Sequence, residues 1–318
     1  MLGGCKPRGG HAISTSASTV EAPALVSRAI DACVGQKIAN VAYARGKHNQ
    51  LDLYLPQTPR EQPMPWVMWI HGGGWSGGSR ESVALFALRQ ACRGYAVATV
   101  DYRLSREAVF PAQVADVRAA LRFLKAKADD FNLSPSNVVL WGSSAGGHLA
   151  ALVGLTHDQR RLPNFDRSDD PFVKVSTAVR GVIDWWGPSS FVPFDADFGS
   201  TCPQRKCHTC AQSPESKLIG CEVRKCGARA RAASPITYVT SSAPPFLIQH
   251  GDSDCTVPWP QSQRLAEALL KVNVPVELTL VPRGRHGDAA WVRPEVKAAV
   301  DDFIDNAVPR PEVCGLPP

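Results

Sequence analysis

A serine flanked by glycines stands near the middle of the chain, in the run NVVLWGSSAGGHLAALVG at residues 137–154. The stretch GSSAG at 142–146 fits the pattern G-x-S-x-G with Ser144 at its centre, whereas Trp141 occupies the leading glycine position for Ser143. An apolar segment precedes the pattern and a helix-compatible segment follows it, which is the setting of a nucleophile on a sharp strand-to-helix turn. We therefore predict that Ser144 is a nucleophile, against the alternative of an ordinary serine in a glycine-rich loop.

A second glycine-rich stretch, HGGGW at 71–75, directly follows the apolar segment WVMWI. Consecutive glycines allow backbone N–H groups to approach an oxygen that becomes negatively charged, which is the task of an oxyanion hole. The predicted donors are the N–H groups of Gly73, Gly74 and Ala145. The alternative interpretation is a flexible turn.

A nucleophilic serine needs a general base, and the chain contains eight histidines. When such a serine lies on a strand-to-helix elbow, the acid and then the histidine follow it along the chain. His286 lies in the glycine-rich loop PRGRHGD after the last apolar strand segment, and we predict that it is the base. His250 closes a strand, where a structural hydrogen bond is expected. The remaining histidines precede the serine, follow it too closely or lie in a polar insert: His11, His48, His71, His148, His157 and His208.

The acid that orients this histidine is expected at the end of the preceding strand, in HGDSDCTVP at 250–258. Asp252 and Asp254 are both candidates, and either could instead cap a turn. We favour Asp254, because the third residue after the strand reaches further into the neighbouring loop.

Short apolar segments alternate with helical ones over most of the chain. Strands are predicted at WVMWI, YAVATV, NVVLW, VRGVIDWW, PFLIQH and VELTLV, and two antiparallel strands at IANVAYARGKHNQLDLYLP. The alternation predicts an α/β protein with a mostly parallel, doubly wound sheet, whose functional loops lie at the carboxyl ends of the strands. We place this catalytic domain at residues 36–310, with tails at 1–35 and 311–318.

Residues 188 to about 235 depart from the alternation, because they are polar and rich in proline and cysteine. A segment of this length between two core strands is predicted to be a small cap over the strand ends. The insert contains five cysteines: Cys202, Cys207, Cys210, Cys221 and Cys226. Together with Cys255 they favour disulfides, although the spacing of Cys207, Cys210, Cys221 and Cys226 would also suit structural zinc.

The charge and hydrophobicity of the chain argue against a nucleic-acid binder and against a membrane-spanning helix. The 318 residues carry a formal net charge of +6 without a basic block, which argues against a nucleic-acid partner. No apolar run reaches the roughly 20 residues of a membrane-spanning helix.

Ten cysteines suggest export to an oxidising compartment, whether periplasm, cell surface or medium. The start LGGC at 2–5 matches the cleavage box of bacterial lipoproteins, which would put a lipid anchor on Cys5, but a poorly ordered tail is the favoured interpretation.

The segments HGGGW, GSSAGG, HGDSDCTVP and the RHG loop together resemble the α/β-hydrolase superfamily, and the HGGG stretch is similar to that of hormone-sensitive-lipase-like bacterial esterases. DYRL at 101–104, FPAQVADVRAALRFL and SPITYV at 234–239 look most like the subgroup of xylan acetyl and feruloyl esterases. The resemblance covers roughly residues 36–308 and implies that Asp254 is the acid. The cysteine-rich insert departs from the commoner family pattern, which leaves the substrate open.

The expected function is therefore a serine carboxylesterase that hydrolyses short-chain or carbohydrate-linked esters, such as acetyl or feruloyl esters, without a cofactor or metal. Its partner would be a small-molecule or polysaccharide-linked ester, and the sequence does not indicate an oligomeric state. The alternatives are an amidase or peptidase with the same machinery, a non-catalytic recognition module on the same fold, and a zinc-stabilised binding domain centred on the cap.

Overall fold

The computed structural model describes residues 32–57, 63–157, 165–199, 202–203 and 205–309. Most of the predicted tail at 1–35, the tail at 311–318 and the lipid-anchor candidate Cys5 lie outside the described residues. The first described strand begins at Val34, inside the segment predicted as the N-terminal tail.

Eight strands of the described chain form one sheet. Their bounds are β1 Val34–Ala42, β2 Gln50–Pro56, β3 Met64–Ile70, β4 Ala96–Val100, β5 Leu133–Ser143, β6 Gly181–Trp185, β7 Phe246–Gly251 and β8 Val276–Val281. The order across the sheet is β1-β2-β4-β3-β5-β6-β7-β8. The β1/β2 and β2/β4 pairs are antiparallel and the other pairs are parallel. The loops after β3, β5, β7 and β8 therefore meet at the carboxyl ends of the parallel strands, which are called the sheet edge below.

Helices connect these strands or lie in the cap. Their bounds are α1 Leu85–Cys92, α2 Ala112–Ala126, α3 Ala145–Leu155, α4 Phe194–Asp197, α5 Pro214–Ile219, α6 Gly227–Ala232, α7 Pro260–Lys271 and α8 Pro294–Ala307. Short 3-10 helices occupy Ala128–Phe131, Pro235–Tyr238 and Ala289–Val292. The cap predicted at 188–235 thus contains α4, α5 and α6.

Apolar side chains point to both faces of the central strands. On β3, Trp66 and Met68 belong to a core shared with α2, α3 and α7, whereas Val67 and Trp69 belong to a second core shared with α1 and α8. Successive side chains of a strand point to opposite faces, so a strand covered on both sides is apolar throughout. This explains why these strands were recognisable as uninterrupted apolar segments, and the predicted doubly wound sheet is confirmed.

Five tryptophans form a contact cluster on the α1/α8 face. The ring centroids of Trp69 and Trp141 are 5.4 Å apart, and those of Trp141 and Trp185 are 4.8 Å apart, both with edge-on geometry. Trp186 stacks on Trp185 at 5.2 Å and contacts Trp291 at 3.8 Å. The cluster packs the core under the sheet and continues to the strand end that carries the site described below.

A disulfide fastens the antiparallel edge of the sheet. Cys33, which precedes β1, is bonded to Cys92 at the end of α1, 59 residues further along the chain. Closing a loop of this length in the unfolded chain corresponds to about 4 kcal/mol of stability in the chain-entropy model. Separately, no helix in the described part of the chain has the length and apolar character needed to cross a bilayer.

Candidate active site

Ser144 stands on a strained turn between β5 and α3. Its backbone has φ 55° and ψ −121°, on the side of backbone space that L-residues rarely adopt. A Cβ atom on Gly146 would lie 2.0 Å from the carbonyl oxygen of Ile70, so only glycine fits there. The Ser144 N–H donates to the carbonyl oxygen of Trp185 at 2.8 Å, which ties the turn to β6. The side chain is thereby presented at the carboxyl edge of the sheet.

The three predicted catalytic side chains are connected by hydrogen bonds. The distance from Ser144 Oγ to His286 Nε2 is 2.9 Å. On the opposite side of the imidazole, His286 Nδ1 lies 2.7 Å from Asp254 Oδ2. The loops after β5, β7 and β8 supply one residue each, in the order serine, acid and histidine.

Asp254 is buried and strongly bound in this position. Its Oδ1 accepts hydrogen bonds from the backbone N–H groups of Thr256 at 2.7 Å and Val257 at 3.0 Å. Burial alone would raise the pKa of the Asp254 carboxyl, but its interactions with His250 and His286 outweigh burial and hold that pKa below its usual range. Asp254 is therefore a carboxylate that can accept the Nδ1 proton of His286 in a hydrogen bond.

The alternative acid, Asp252, does not contact His286. Its side chain is exposed, and its Oδ1 accepts hydrogen bonds from the N–H of Arg283 at 2.7 Å and the hydroxyl of Ser253 at 2.9 Å. Asp252 is thus the turn-capping aspartate of the pair. His250 is fully buried between Ser262 Oγ at 2.6 Å and the carbonyl oxygen of Val257 at 2.8 Å, in agreement with the structural role expected for it.

The loop after β3 brings its glycines next to Ser144. Gly73 and Gly74 have φ values of 110° and 56°, which favour glycine. A Cβ atom on Gly73 would lie 2.3 Å from the carbonyl oxygen of Gly77, so the close turn excludes a side chain. Within the described residues, the N–H groups of Gly73, Gly74 and Ala145 make no hydrogen bond to the protein. All three residues line the cavity at Ser144, where these N–H groups could bind an oxyanion.

A buried histidine that the sequence did not single out supports this loop. Trp75 Nε1 donates to His148 Nδ1 at 3.2 Å, and His148 Nε2 lies 2.7 Å from the carbonyl oxygen of Ala233. Burial lowers the pKa of the His148 imidazole to about 4, so the ring is neutral at pH 7. His148 therefore links the glycine loop, α3 and the end of the cap through one imidazole.

The cavity at Ser144 has a volume of about 350 Å³ and is lined by both the sheet edge and the cap. The sheet edge contributes the glycine loop, the elbow, Trp186 and His286, while the cap contributes Pro188, His208, Pro214 and Glu215. Trp186 is 5% exposed and lies edge-on to His286, with ring centroids 5.9 Å apart. Of the two adjacent tryptophans, Trp186 therefore borders the cavity, and Trp185 is a core residue hydrogen-bonded to Gln249.

The cysteines of the cap are paired in disulfides. Cys207 is bonded to Cys210 and Cys221 to Cys226, while Cys202 is bonded to Cys255, the residue after Asp254. The disulfide prediction is thus confirmed, and Cys255 belongs with the cap cysteines as expected. Because the sulfur atoms of these cysteines are bonded in pairs, they are not the free thiolates that the zinc alternative requires.

Residues 51–269, which include the glycine loop, Ser144 and Asp254, match the model of the BD-FAE family. The chain belongs to the BD-FAE family. A curated relative of this BD-FAE member is esterase LipC of Mycobacterium tuberculosis, 31% identical over 240 residues, which are 73% of this chain and 55% of LipC. The chain spans 53% to 59% of the length of the first three curated relatives that it matches.

Solved structures resemble the BD-FAE chain over most of its length. A truncated carbohydrate esterase from gut microbiota superposes with a TM-score of 0.80 at 27% identity, covering 87% of this chain and 98% of that one. A bifunctional GH43-CE protein of Bacteroides eggerthii superposes with a TM-score of 0.75 at 30% identity, covering 85% of this chain and 35% of that one. The predicted α/β-hydrolase fold and the resemblance to serine esterases of this superfamily are confirmed.

Proposed function

We propose that this BD-FAE member is a serine carboxylesterase that acts on short-chain or carbohydrate-linked esters, including acetyl or feruloyl esters, through an acyl-enzyme. The observation that carries the proposal is the hydrogen-bonded series Ser144–His286–Asp254, with 2.9 Å and 2.7 Å between the bonded atoms. The esterase names of LipC and of the structural neighbours support ester rather than amide hydrolysis.

In the proposed first half-reaction, His286 Nε2 takes the hydroxyl proton of Ser144 while Oγ attacks the ester carbonyl carbon. The carbonyl oxygen becomes an oxyanion and accepts hydrogen bonds from the N–H groups of Gly73, Gly74 and Ala145. The bond to the alcohol oxygen then breaks, and His286 returns the proton to the departing alcohol. Asp254 holds the imidazole tautomer and stabilises the imidazolium.

In the second half-reaction, His286 takes a proton from a water molecule whose oxygen attacks the acyl carbon. Collapse of the second oxyanion breaks the bond to Ser144 Oγ, which recovers its proton from His286. The products are the free carboxylic acid and the original enzyme. No step requires an atom from a cofactor.

The test is kcat/KM on p-nitrophenyl acetate, longer p-nitrophenyl esters, methyl ferulate, acetylated xylan and an aminoacyl anilide. We expect hydrolysis of at least one ester, and Ser144→Ala should reduce it by about 10⁴-fold or more with an unchanged circular dichroism spectrum. Ester hydrolysis that survives in Ser144→Ala, or activity on the anilide alone, would refute the proposal. Preference for acetylated xylan or ferulate would identify a carbohydrate esterase.

We also propose that the enzyme acts in an oxidising compartment, since four disulfides are present in the described residues. Thiol titration of unfolded, unreduced protein isolated from its native source should find few free thiols, whereas about ten would contradict the proposal.

A further inference from the structure

The cap side of the cavity contains a carboxyl group with one unpartnered oxygen. Glu215, on α5, is 3% exposed and lines the cavity together with Ser144 and His286. Its Oε1 lies 2.8 Å from His208 Nδ1, while its Oε2 is buried without a hydrogen-bond partner among the described residues. Buried polar atoms in folded proteins are nearly always hydrogen-bonded, so an exception next to a catalytic serine indicates a missing partner.

The side chain that holds Glu215 is itself fixed. The His208 ring stacks on Phe194 with centroids 4.2 Å apart and planes at 8°. The backbone N–H of His208 donates to Asp195 Oδ1 at 2.7 Å, and Cys207 and Cys210 form a disulfide around this residue. The position of the Glu215 carboxyl group is therefore set before any substrate arrives, as a recognition group requires.

The start of α5 is equally well anchored and lies close to the reaction centre. The side chain of Ser213 accepts a hydrogen bond from the N–H of Ser216 and caps the helix. Pro214, the residue before Glu215, lies against the glycine loop, since a Cβ atom on Gly74 would be 3.5 Å from Pro214 Cβ. Glu215 thus follows a residue that packs on the predicted oxyanion hole.

A carboxylate oxygen accepts hydrogen bonds, and the matching group on an ester substrate is a hydroxyl. Both proposed substrate types, carbohydrate-linked esters and feruloyl esters, carry a hydroxyl group. A sugar has hydroxyls beside its acylated oxygen, and a feruloyl group has a phenolic hydroxyl on its acyl side. A simple alkyl or p-nitrophenyl acetate offers no such donor.

We propose that Glu215, positioned by His208, accepts a hydrogen bond from a substrate hydroxyl and thereby selects hydroxylated esters over otherwise similar esters. This inference rests on the proposed esterase function and specifies the substrate class of the same site. Sites that hydrogen-bond a substrate hydroxyl reject the analogue that lacks it far more strongly than apolar pockets discriminate by size.

The experiment compares kcat/KM within two matched ester pairs. The first pair is a monoacetylated methyl xyloside and its derivative with the remaining hydroxyls methylated. The second pair is methyl ferulate and the analogue with its phenolic hydroxyl methylated. The variants are Glu215→Gln, which replaces an acceptor oxygen by an amide donor, and Glu215→Met, which has similar length and no acceptor. The matched control is Glu222→Gln, since Glu222 is a cap glutamate paired with the exposed Lys225 at 2.8 Å.

The wild-type enzyme should prefer the hydroxylated member of at least one pair by about tenfold or more, which corresponds to about 1.4 kcal/mol. This ratio should fall at least fivefold in a Glu215 variant and stay unchanged in Glu222→Gln. A fall confined to the xyloside pair would identify a sugar hydroxyl, and a fall confined to the ferulate pair a phenolic hydroxyl. A ratio is insensitive to general loss of active enzyme, so partial misfolding cannot produce this result.

Two outcomes would overturn the inference: wild-type ratios near one in both pairs, or ratios that persist in both Glu215 variants. Each of these leaves the hydrolysis of p-nitrophenyl acetate by the wild type intact. By contrast, loss of the proposed esterase function would show as wild-type rates equal to those of Ser144→Ala on every ester.

Discussion

The sheet edge and the cap border the same cavity but are held in place by different forces. Ser144 and the loops after β7 and β8 are fixed by the pairing of parallel strands and by backbone hydrogen bonds such as Ser144 N–H to Trp185. The cap consists of helices of four to six residues, and each of the two loops that connect these helices contains a short-range disulfide. Strand pairing constrains the positions of Ser144, Asp254 and His286, whereas the cap borders the cavity with side chains such as those of His208 and Glu215. The proposed function assigns the reaction to the sheet edge, and the further inference assigns selectivity to the cap.

The largest effect is expected at the sheet edge, where Asp254 and Asp252 form a matched pair. Asp254→Asn should lower kcat by about 10³–10⁴-fold, because an amide at this position favours the wrong tautomer of His286. Asp252→Asn should change kcat less than about threefold, since its Oδ1 can still accept from the N–H of Arg283. Steady-state kinetics on p-nitrophenyl acetate measures both, and a reversed ranking would transfer the acid role to Asp252.

An intermediate effect is expected where the two regions are joined covalently. The Cys202–Cys255 disulfide connects the cap to the residue after Asp254, so Cys202→Ser combined with Cys255→Ser should lower kcat/KM by about tenfold. The control, Cys221→Ser combined with Cys226→Ser, removes a disulfide internal to the cap and should leave kcat on p-nitrophenyl acetate within about twofold. Equal losses in the two double variants would show that the cap acts only as a folded unit.

The smallest effect is a pH dependence of stability that belongs to the sheet edge. Burial raises the pKa of the Asp184 carboxyl, at the end of β6, to about 6. The folded state then binds this proton more tightly than the unfolded chain, so the stabilisation is complete below about pH 4 and is lost as the pH rises through 6. The free energy of unfolding of the wild type should fall by about 1–3 kcal/mol between pH 4 and 6.5 because of this group, and Asp184→Asn should abolish that fall. Urea unfolding at several pH values measures the difference, and parallel curves for the two proteins would contradict it.

The sequence predicts the sheet edge well for identifiable reasons. The central strands are apolar on both faces, so each appears as an uninterrupted run that ends at a functional loop. The order of the catalytic residues along the chain then selects His286, and the structure brings it together with Ser144 and Asp254. Their chemical roles remain predictions until the variants are measured.

The helices of the cap, the pairing of its cysteines and its contacts with the cavity could not be predicted from the sequence. Its helices are too short for a hydrophobic period, and the pairing of its cysteines depends on distances that spacing does not determine. No sequence signal indicates His208 or Glu215 as a site residue, because their contact with each other and with the cavity exists only in three dimensions. The position of His148 just after Ser144 likewise gives no sign that its ring joins the glycine loop to the cap.

The tryptophan cluster is an intrinsic fluorophore that borders the cavity. Pairwise contacts connect the rings of Trp69, Trp141, Trp185, Trp186 and Trp291, and Trp186 lies beside His286 at the cavity. Indole emission depends on the polarity and charge around the ring. In the proposed mechanism, an acyl group in the cavity or a proton on His286 changes the surroundings of this native fluorophore. Tryptophan emission should therefore follow single turnovers without a chromogenic substrate or a label.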